Sequence, residues 1–468
     1  MLRARRVAWA LLCSVAPSGP CAAMPLLELL GRGADASDRV TSVWLDPARL
    51  SPNRAEAEFL WLQTDLSITR DTRPSGYDVP EDVFDARLRT ADGTARLELR
   101  PLPTSQLARP SGGESKGRRY LVTGLTRQVL DDRLSFGLVA AVPLEFFQVQ
   151  SPFYADEREQ TFSNALHFER FGDRLEGTNV SAALAGRATP WLALAAGLAL
   201  QTRAVSVANV YLPDPSRPEV AQTNADVRVE TTVSPYFGAG FTPFEDRRHR
   251  LGLTLHLPSA SEVQGRTVIR FWDDADGPSS QRFTFRYADQ PLRLTGTLEA
   301  ALPLELQAHA TGRYTRWSVY RDRHDERPEG FEDVAEADLG LRRAFGAQSL
   351  GLGALFSPSP MPSQSGRESR VDNDRVGASA RWALDVPTPV GHAQFGVGLN
   401  TQWLLERSHR KSPSASTPLV DELPEAVNLR TGEPFVGDAG LQTNNPGFPG
   451  YASDGFLFAV GVGVTWTR

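Results

Sequence analysis

The stretch GFLFAVGVGVTW, residues 455–466, decides the fold. Phe456, Phe458, Val460, Val462, Val464 and Trp466 fall at every second position, and Gly455, Ala459, Gly461, Gly463 and Thr465 fall between them. Period-two alternation marks a strand with two unlike faces. The pattern recurs upstream. Phe395, Val397, Leu399, Thr401 and Trp403 oppose Gln394, Gly396, Gly398, Asn400 and Gln402. Leu251, Leu253 and Leu255 oppose Gly252, Thr254 and His256, and Leu304, Leu306, Ala308 and Ala310 oppose Glu305, Gln307, His309 and Thr311. A soluble sandwich buries such an apolar face in a shared core. A membrane barrel turns it to lipid and lines its lumen with the polar face. Alternation alone fits both.

The connections separate the two. About fourteen candidate strands are predicted at 57–70, 119–130, 134–147, 178–188, 192–207, 227–241, 249–257, 290–302, 304–320, 334–345, 348–357, 374–384, 391–407 and 455–467. Every second connection is short, as at Asp131-Asp132-Arg133, Thr189-Pro190, Pro303 and Gly346-Ala347. The others are long and polar or proline-rich: 71–118, 148–177, 208–226, 258–289, 321–333, 358–373 and 408–454. Short turns at one rim, long loops at the other and an even strand number are what a membrane barrel demands. Several strands also exceed the five to six residues usual in soluble sheets and match the nine to eleven tilted residues a bilayer needs. Tyr236, Phe237, Phe241, Tyr314, Trp317, Tyr320, Trp403 and Trp466 lie near strand ends, where interfacial aromatic girdles sit. The predicted fold class is therefore all-β, a transmembrane antiparallel β-barrel of about 14 strands.

Composition agrees. The 468 residues are 41% hydrophobic and 23% charged, with formal net charge -6. That mild balance, with no basic tract, points to no nucleic-acid partner. Arg3, Arg5 and Arg6, an apolar run from Val7 to Val15 and small residues ending at Cys21-Ala22-Ala23 read as a secretory signal over residues 1–23. Both cysteines, Cys13 and Cys21, fall inside it, so the expected mature chain has no disulfide, no thiol nucleophile and no cysteine metal site. No later segment has eighteen consecutive apolar residues, so any membrane crossing falls to a closed barrel, the only alternative to helices that satisfies every backbone group in lipid. Residues 24–56 open with Leu26, Leu27, Leu29 and Leu30 and then turn polar. They read equally as a periplasmic tail or as a plug in the lumen, ahead of a barrel over 57–468.

Five stretches, in order, resemble the long-chain fatty acid transporter (FadL, or toluene-transporter) family. They are SVWLDPARLS (42–51), DDRLSFGLVAAVPLEF (131–146), TPWLALAAGLALQ (189–201), ATGRYTRWSVY (310–320) and SPSPMPSQSGRESRVDNDRVG (357–377). The resemblance implies a fourteen-stranded outer-membrane barrel plugged by its N-terminal segment. It implies that an apolar ligand lands among the extracellular loops and passes to a pocket inside the barrel. It then leaves sideways into the membrane where the third strand kinks. On this resemblance the family's Asn-Pro-Ala motif falls on Asp46, Pro47 and Ala48, with aspartate in place of asparagine. The kink falls on Ala141, Val142, Pro143 and Leu144. Proline cannot donate to a sheet ladder, so Pro143 is a physical reason for a local gap, or simply for the strand to end there. Two departures stand out: the plug is short, and the chain ends Trp466-Thr467-Arg468 rather than on an aromatic residue.

Rival classes leave weaker traces. Seven histidines occur, none in a nucleophile elbow or an H-E-x-x-H motif, so no enzyme, catalytic residue or cofactor is expected. His256 and His309 are predicted to face the lumen. Asp273-Asp274-Ala275-Asp276-Gly277 lacks the ligand spacing and closing glutamate of a calcium loop, so no metal is expected. The loop 321–333, dense in both signs of charge, reads as a surface that meets lipopolysaccharide. The expected partners are a hydrophobic small molecule and outer-membrane lipid and lipopolysaccharide, for a monomer in the outer membrane of a Gram-negative bacterium. The alternatives are a general diffusion porin, with an open polar lumen, and a secreted or surface β-protein without transport function.

Overall fold

In a computed structural model, the structure describes residues 39–49, 53–70, 88–89, 96–97, 112–130, 133–144, 166–168, 170–171, 178–202, 206–214, 217–229, 232–243, 249–270, 279–322, 325–365, 368–411 and 450–468. The signal segment and the Asp273–Gly277 stretch lie outside them. Among the described residues, fourteen antiparallel strands close into one ring. In chain order they are β1 (Arg54–Arg70), β2 (Gly112–Leu130), β3 (Leu134–Pro143), β4 (Thr178–Thr189), β5 (Leu192–Thr202), β6 (Thr232–Phe241) and β7 (His249–His256). There follow β8 (Arg293–Leu302), β9 (Leu306–Thr315), β10 (Val334–Phe345), β11 (Gln348–Ser357), β12 (Arg375–Thr388), β13 (Gly391–Arg410) and β14 (Gly450–Thr467). Each strand pairs with its sequence neighbours, and β1 pairs with β14 from Arg54↔Thr467 to Arg70↔Tyr451. Closure leaves no strand of the ring with an unpaired edge.

The rims are unequal, as the connections predict. One rim holds the turns β2–β3, β4–β5, β6–β7, β8–β9, β10–β11 and β12–β13, the start of β1 and the end of β14. The other holds every long connection. Two of those connections are not plain loops. Ser206–Asp214 pairs with Arg217–Val229, and Ser259–Arg270 with Ser279–Gln290. The two hairpins join into a four-stranded sheet at the long-loop rim. Strands were not expected in 208–226 and 258–289, because polar sequence in a wet loop carries no strict alternation to read.

The alternation does sort inside from outside. On β3 the burial alternates residue by residue from Leu134 to Pro143. On the outer surface Leu253, Leu339 and Leu352 are 50%, 60% and 56% exposed. They belong to an apolar belt that includes Phe59, Leu121, Leu194, Leu298 and Val462. A belt that size is foreign to a soluble monomer and natural to a barrel in a bilayer. No helix among the described residues is long and apolar enough to cross a membrane, so the crossing falls to the strands. Phe237, Phe241, Tyr314, Trp403 and Trp466 face outward, as a girdle requires. Tyr236, Trp317 and Tyr320 do not. They are buried, Tyr236 on the inner wall and the other two in the loop after β9. Leu304 is also displaced from its expected strand: it sits in the β8–β9 turn, where Leu304 and Glu305 have φ of 63° and 58°. Those are the angles of a two-residue hairpin turn that asparagine and glycine prefer.

Candidate ligand pathway

The described part of the N-terminal segment lies inside the ring. Ser42–Leu45 forms a helical turn and Pro47–Arg49 a short 3-10 turn, and Val40, Val43 and Trp44 are fully buried. The wall makes room for it with glycine. A side chain on Gly238 would begin 2.7 Å from Cγ of Pro47, and one on Gly240 would begin 3.2 Å from Cβ of Ala48. Pro47 and Ala48 therefore touch bare backbone of β6.

The segment is tied to the wall by its main chain and by charge. The Tyr236 hydroxyl donates to the Val43 carbonyl at 2.7 Å and lies 2.6 Å from the Ser181 hydroxyl. His256 Nε2 lies 3.0 Å from the Trp44 carbonyl. A carbonyl only accepts, so Nε2 carries the proton. The Trp44 ring packs edge-on to Tyr236 with centroids 5.0 Å apart, sits 4.0 Å from the His256 ring, and has the Arg293 guanidinium 5.8 Å from its centroid. His256 and His309 both lie on the inner wall, as expected: His256 is 3% exposed, and the His309 ring lies over Gly340 of the neighbouring strand.

Asp46 has a specific partner. Its carboxylate receives both terminal nitrogens of Arg250, Nη2 at 2.7 Å from Oδ1 and Nη1 on Oδ2, and the Thr297 hydroxyl donates to it at 3.2 Å. The aspartate that departs from the Asn-Pro-Ala pattern is thus matched by a cation on β7, in the fork-to-fork geometry arginine favours. At the two ends of the segment Arg49 pairs with Glu299, and Arg39 with Glu56 and Glu58. The Glu56 carboxylate also accepts the Val40 amide at 3.0 Å. Sequence reasoning missed Tyr236, Arg250, Glu299, Glu56 and Glu58. The one available signal was charge at inward positions, which does not say which charge meets which.

The remaining wall is two-sided. Leu60, Leu62, Leu66 and Ile68 of β1, Tyr120 and Val122 of β2, Leu404 of β13 and Leu457 of β14 are buried inward. They form one cluster with Val40, Val43 and Trp44 below and Phe168, Phe171 and Val371 above. Across the lumen the inward positions are polar: Arg293, Thr295, Arg313, Glu336, Asp338 and Arg375, all buried. A uniformly polar lumen, the porin pattern, is not what these residues build.

The kink residues sit where β3 ends. β3 pairs with β2 as far as Tyr120↔Pro143, but its register with β4 stops at Ala141↔Asn179. Ala141 and Pro143 point inward and are buried, while Val142 and Leu144 are half-buried. Val142 and Pro143 therefore have a ladder neighbour on the β2 side alone among the described residues.

No protein-family model matches the sequence, and no curated protein matches it. Solved structures do match. A FadL homologue from Pseudomonas aeruginosa superposes with a TM-score of 0.60 at 15% identity, covering 96% of this chain and 100% of that one. The P. putida toluene transporter TodX aligns at 11% identity and TM-score 0.47 over 93% and 98% of the two chains. The Ralstonia pickettii toluene transporter TbuX aligns at 10% and 0.45 over 94% and 97%. The last two fits are too loose to weigh. With its ring of fourteen strands, its apolar belt and its end-to-end match to the P. aeruginosa protein, this chain has the fold of a FadL homologue, an outer-membrane type of β-barrel.

Proposed function

We propose that this barrel carries small hydrophobic molecules, long-chain fatty acids or hydrocarbons, across the outer membrane of a Gram-negative bacterium. The observation that carries the reading is the continuous apolar cluster on the inner wall, from Trp44 past Leu62 and Tyr120 to Phe168. An apolar solute in a wet channel forgoes about 0.8 kcal/mol per CH₂ of burial. An apolar wall on one side of the lumen returns part of that. A diffusion porin, whose purpose is water and ions, has no use for it. The fold shared with the P. aeruginosa FadL homologue agrees with this reading.

In this proposal the segment ahead of β1, expected over 24–56 but ending by residue 53 because residues 54–56 are wall, is a plug fastened by Asp46, Tyr236 and His256, and residues 1–23 are a cleaved signal. The ligand leaves sideways between β3 and β4, beyond Ala141, where Pro143 withholds a donor. Uptake of labelled long-chain fatty acid and of labelled toluene by cells with and without the protein tests transport. Faster uptake of at least one is expected, and equal uptake of both in the two strains overturns the proposal. The exit is tested separately by a disulfide between Val142→Cys and Thr178→Cys, the next position along the β3–β4 register. Oxidation is expected to slow uptake several-fold, and unchanged uptake removes the sideways route.

A further inference from the structure

We infer that residues 166–168 and 170–171, with residues 370–372, form a strap across the long-loop mouth of the barrel, and that this strap must part before anything enters the lumen. The first stretch belongs to the β3–β4 connection and the second to the β11–β12 connection. Around the ring these connections are separated by eight strands one way and six the other, so they stand on nearly opposite sides. Yet they meet: His167 and Phe168 pair in parallel with Arg370 and Val371. Consecutive strands of a barrel are antiparallel, so this parallel contact is made by loops reaching across and not by the wall.

The junction is held by more than two ladder rungs. Arg170 Nη2 lies 3.0 Å from Glu336 Oε1 and its Nη1 lies 3.5 Å from Asp372 Oδ2. Arg375 Nη2 is 3.6 Å from the same Glu336 oxygen, and the Ser357 hydroxyl donates to it at 2.6 Å. Each guanidinium also lies over a ring, Arg170 over Trp317 and Arg375 over Phe171, both at 5.6 Å. Arg370 pairs with Asp322 at 2.6 Å, which ties the strap to the loop after β9. Phe168, Phe171 and Val371 are buried in the inner apolar cluster, so the strap faces down into the lumen. Burial pushes the Asp372 carboxyl above its ordinary range, and the guanidiniums of Arg170 and Arg375 pull it the other way.

The inference goes beyond the transport reading and rests on it only for the purpose of the opening. The first test therefore needs no transported molecule. Thr64 faces the lumen on β1, fully buried, six residues beyond Glu58 toward the long-loop rim. Thr64→Cys is labelled on intact cells with a membrane-impermeant maleimide, with the strap intact and with Arg170→Ala plus Phe171→Ala. Labelling at least ~10-fold faster in the loosened strap is expected. Equal rates with both barrels folded overturn the inference. A second variant, Phe168→Cys with Val371→Cys, locks the strap. With Thr64 left unchanged, uptake of labelled fatty acid and of labelled toluene is expected to fall on oxidation and return on reduction. Uptake that ignores a formed disulfide also overturns it. Cells that take up no ligand in either state, with labelling still governed by the strap, would instead sink the transport reading and leave the strap standing.

Discussion

At the scale of the residue, the pair Asp46–Arg250 shows how a departure from a motif is absorbed. Aspartate brings a charge into a buried place, and Arg250 meets it from 204 positions away. Removing one partner of a buried pair strands the other, a cost of about 3–5 kcal/mol. Arg250→Ala is therefore expected to destabilise more than Asp46→Asn, which keeps an acceptor for Thr297 and leaves a longer, hydratable cation. Urea titration of the barrel in lipid vesicles measures both. Lys411 makes a second prediction. It lies just past the end of β13, its amine donates to the Glu368 carbonyl at 2.6 Å, and burial lowers its pKa to about 8. A lysine whose folded pKa is depressed penalises folding while both states are protonated, below about pH 8. The unfolded chain binds more protons between about 8 and 10.5, so stability rises with pH across that window. Wild type is expected to gain thermal stability from pH 7.5 to 9.5 relative to Lys411→Met, by heat-dependent gel mobility. Parallel profiles for the two would refute the assignment.

At the scale of the element, alternation was enough to locate the wall and not enough to furnish it. β10 and β11 occupy the residues expected of them, because apolar positions at Leu339, Leu341, Leu350 and Leu352 leave one register. β1 begins at Arg54, earlier than the expected 57, because Arg54 and Glu56 are charged and read as loop until Arg39 is seen beside Glu56. The strap and the rim sheet were invisible for a related reason. Two-residue ladders and hairpins in water carry no stripe, and their partners are set by packing across the ring. The β8–β9 turn yields a prediction of its own. Leu304 and Glu305 hold left-handed backbone angles, which cost about 1–3 kcal/mol per residue. Leu304→Asn with Glu305→Gly is expected to stabilise the barrel by roughly 1–3 kcal/mol in the same titration, since that pair suits the turn. For the N-terminal segment, Gly238→Val is expected to push Pro47 off β6 while the ring still forms. Faster proteolysis of the segment in detergent checks it, and wild-type protection would argue against close packing there.

At the scale of the whole molecule, the outer belt and the lumen answer to opposite rules. Leu339, midway along β10 and 60% exposed, is expected to meet acyl chains. Leu339→Arg should cost about 2–4 kcal/mol of folding free energy in vesicles. Ser379→Arg, on the inner wall opposite Asn400, should cost less. If both cost the same, the belt does not face lipid.

The seam between β1 and β14 carries a consequence for how the protein is made. The first wall strand has no partner on one side until the eighteen residues of β14 exist. A ribosome delivers those residues after every other strand of the ring. The ring can therefore not close until its last strand is made, and the strands have to be escorted, unzipped, to the place where first and last finally clasp.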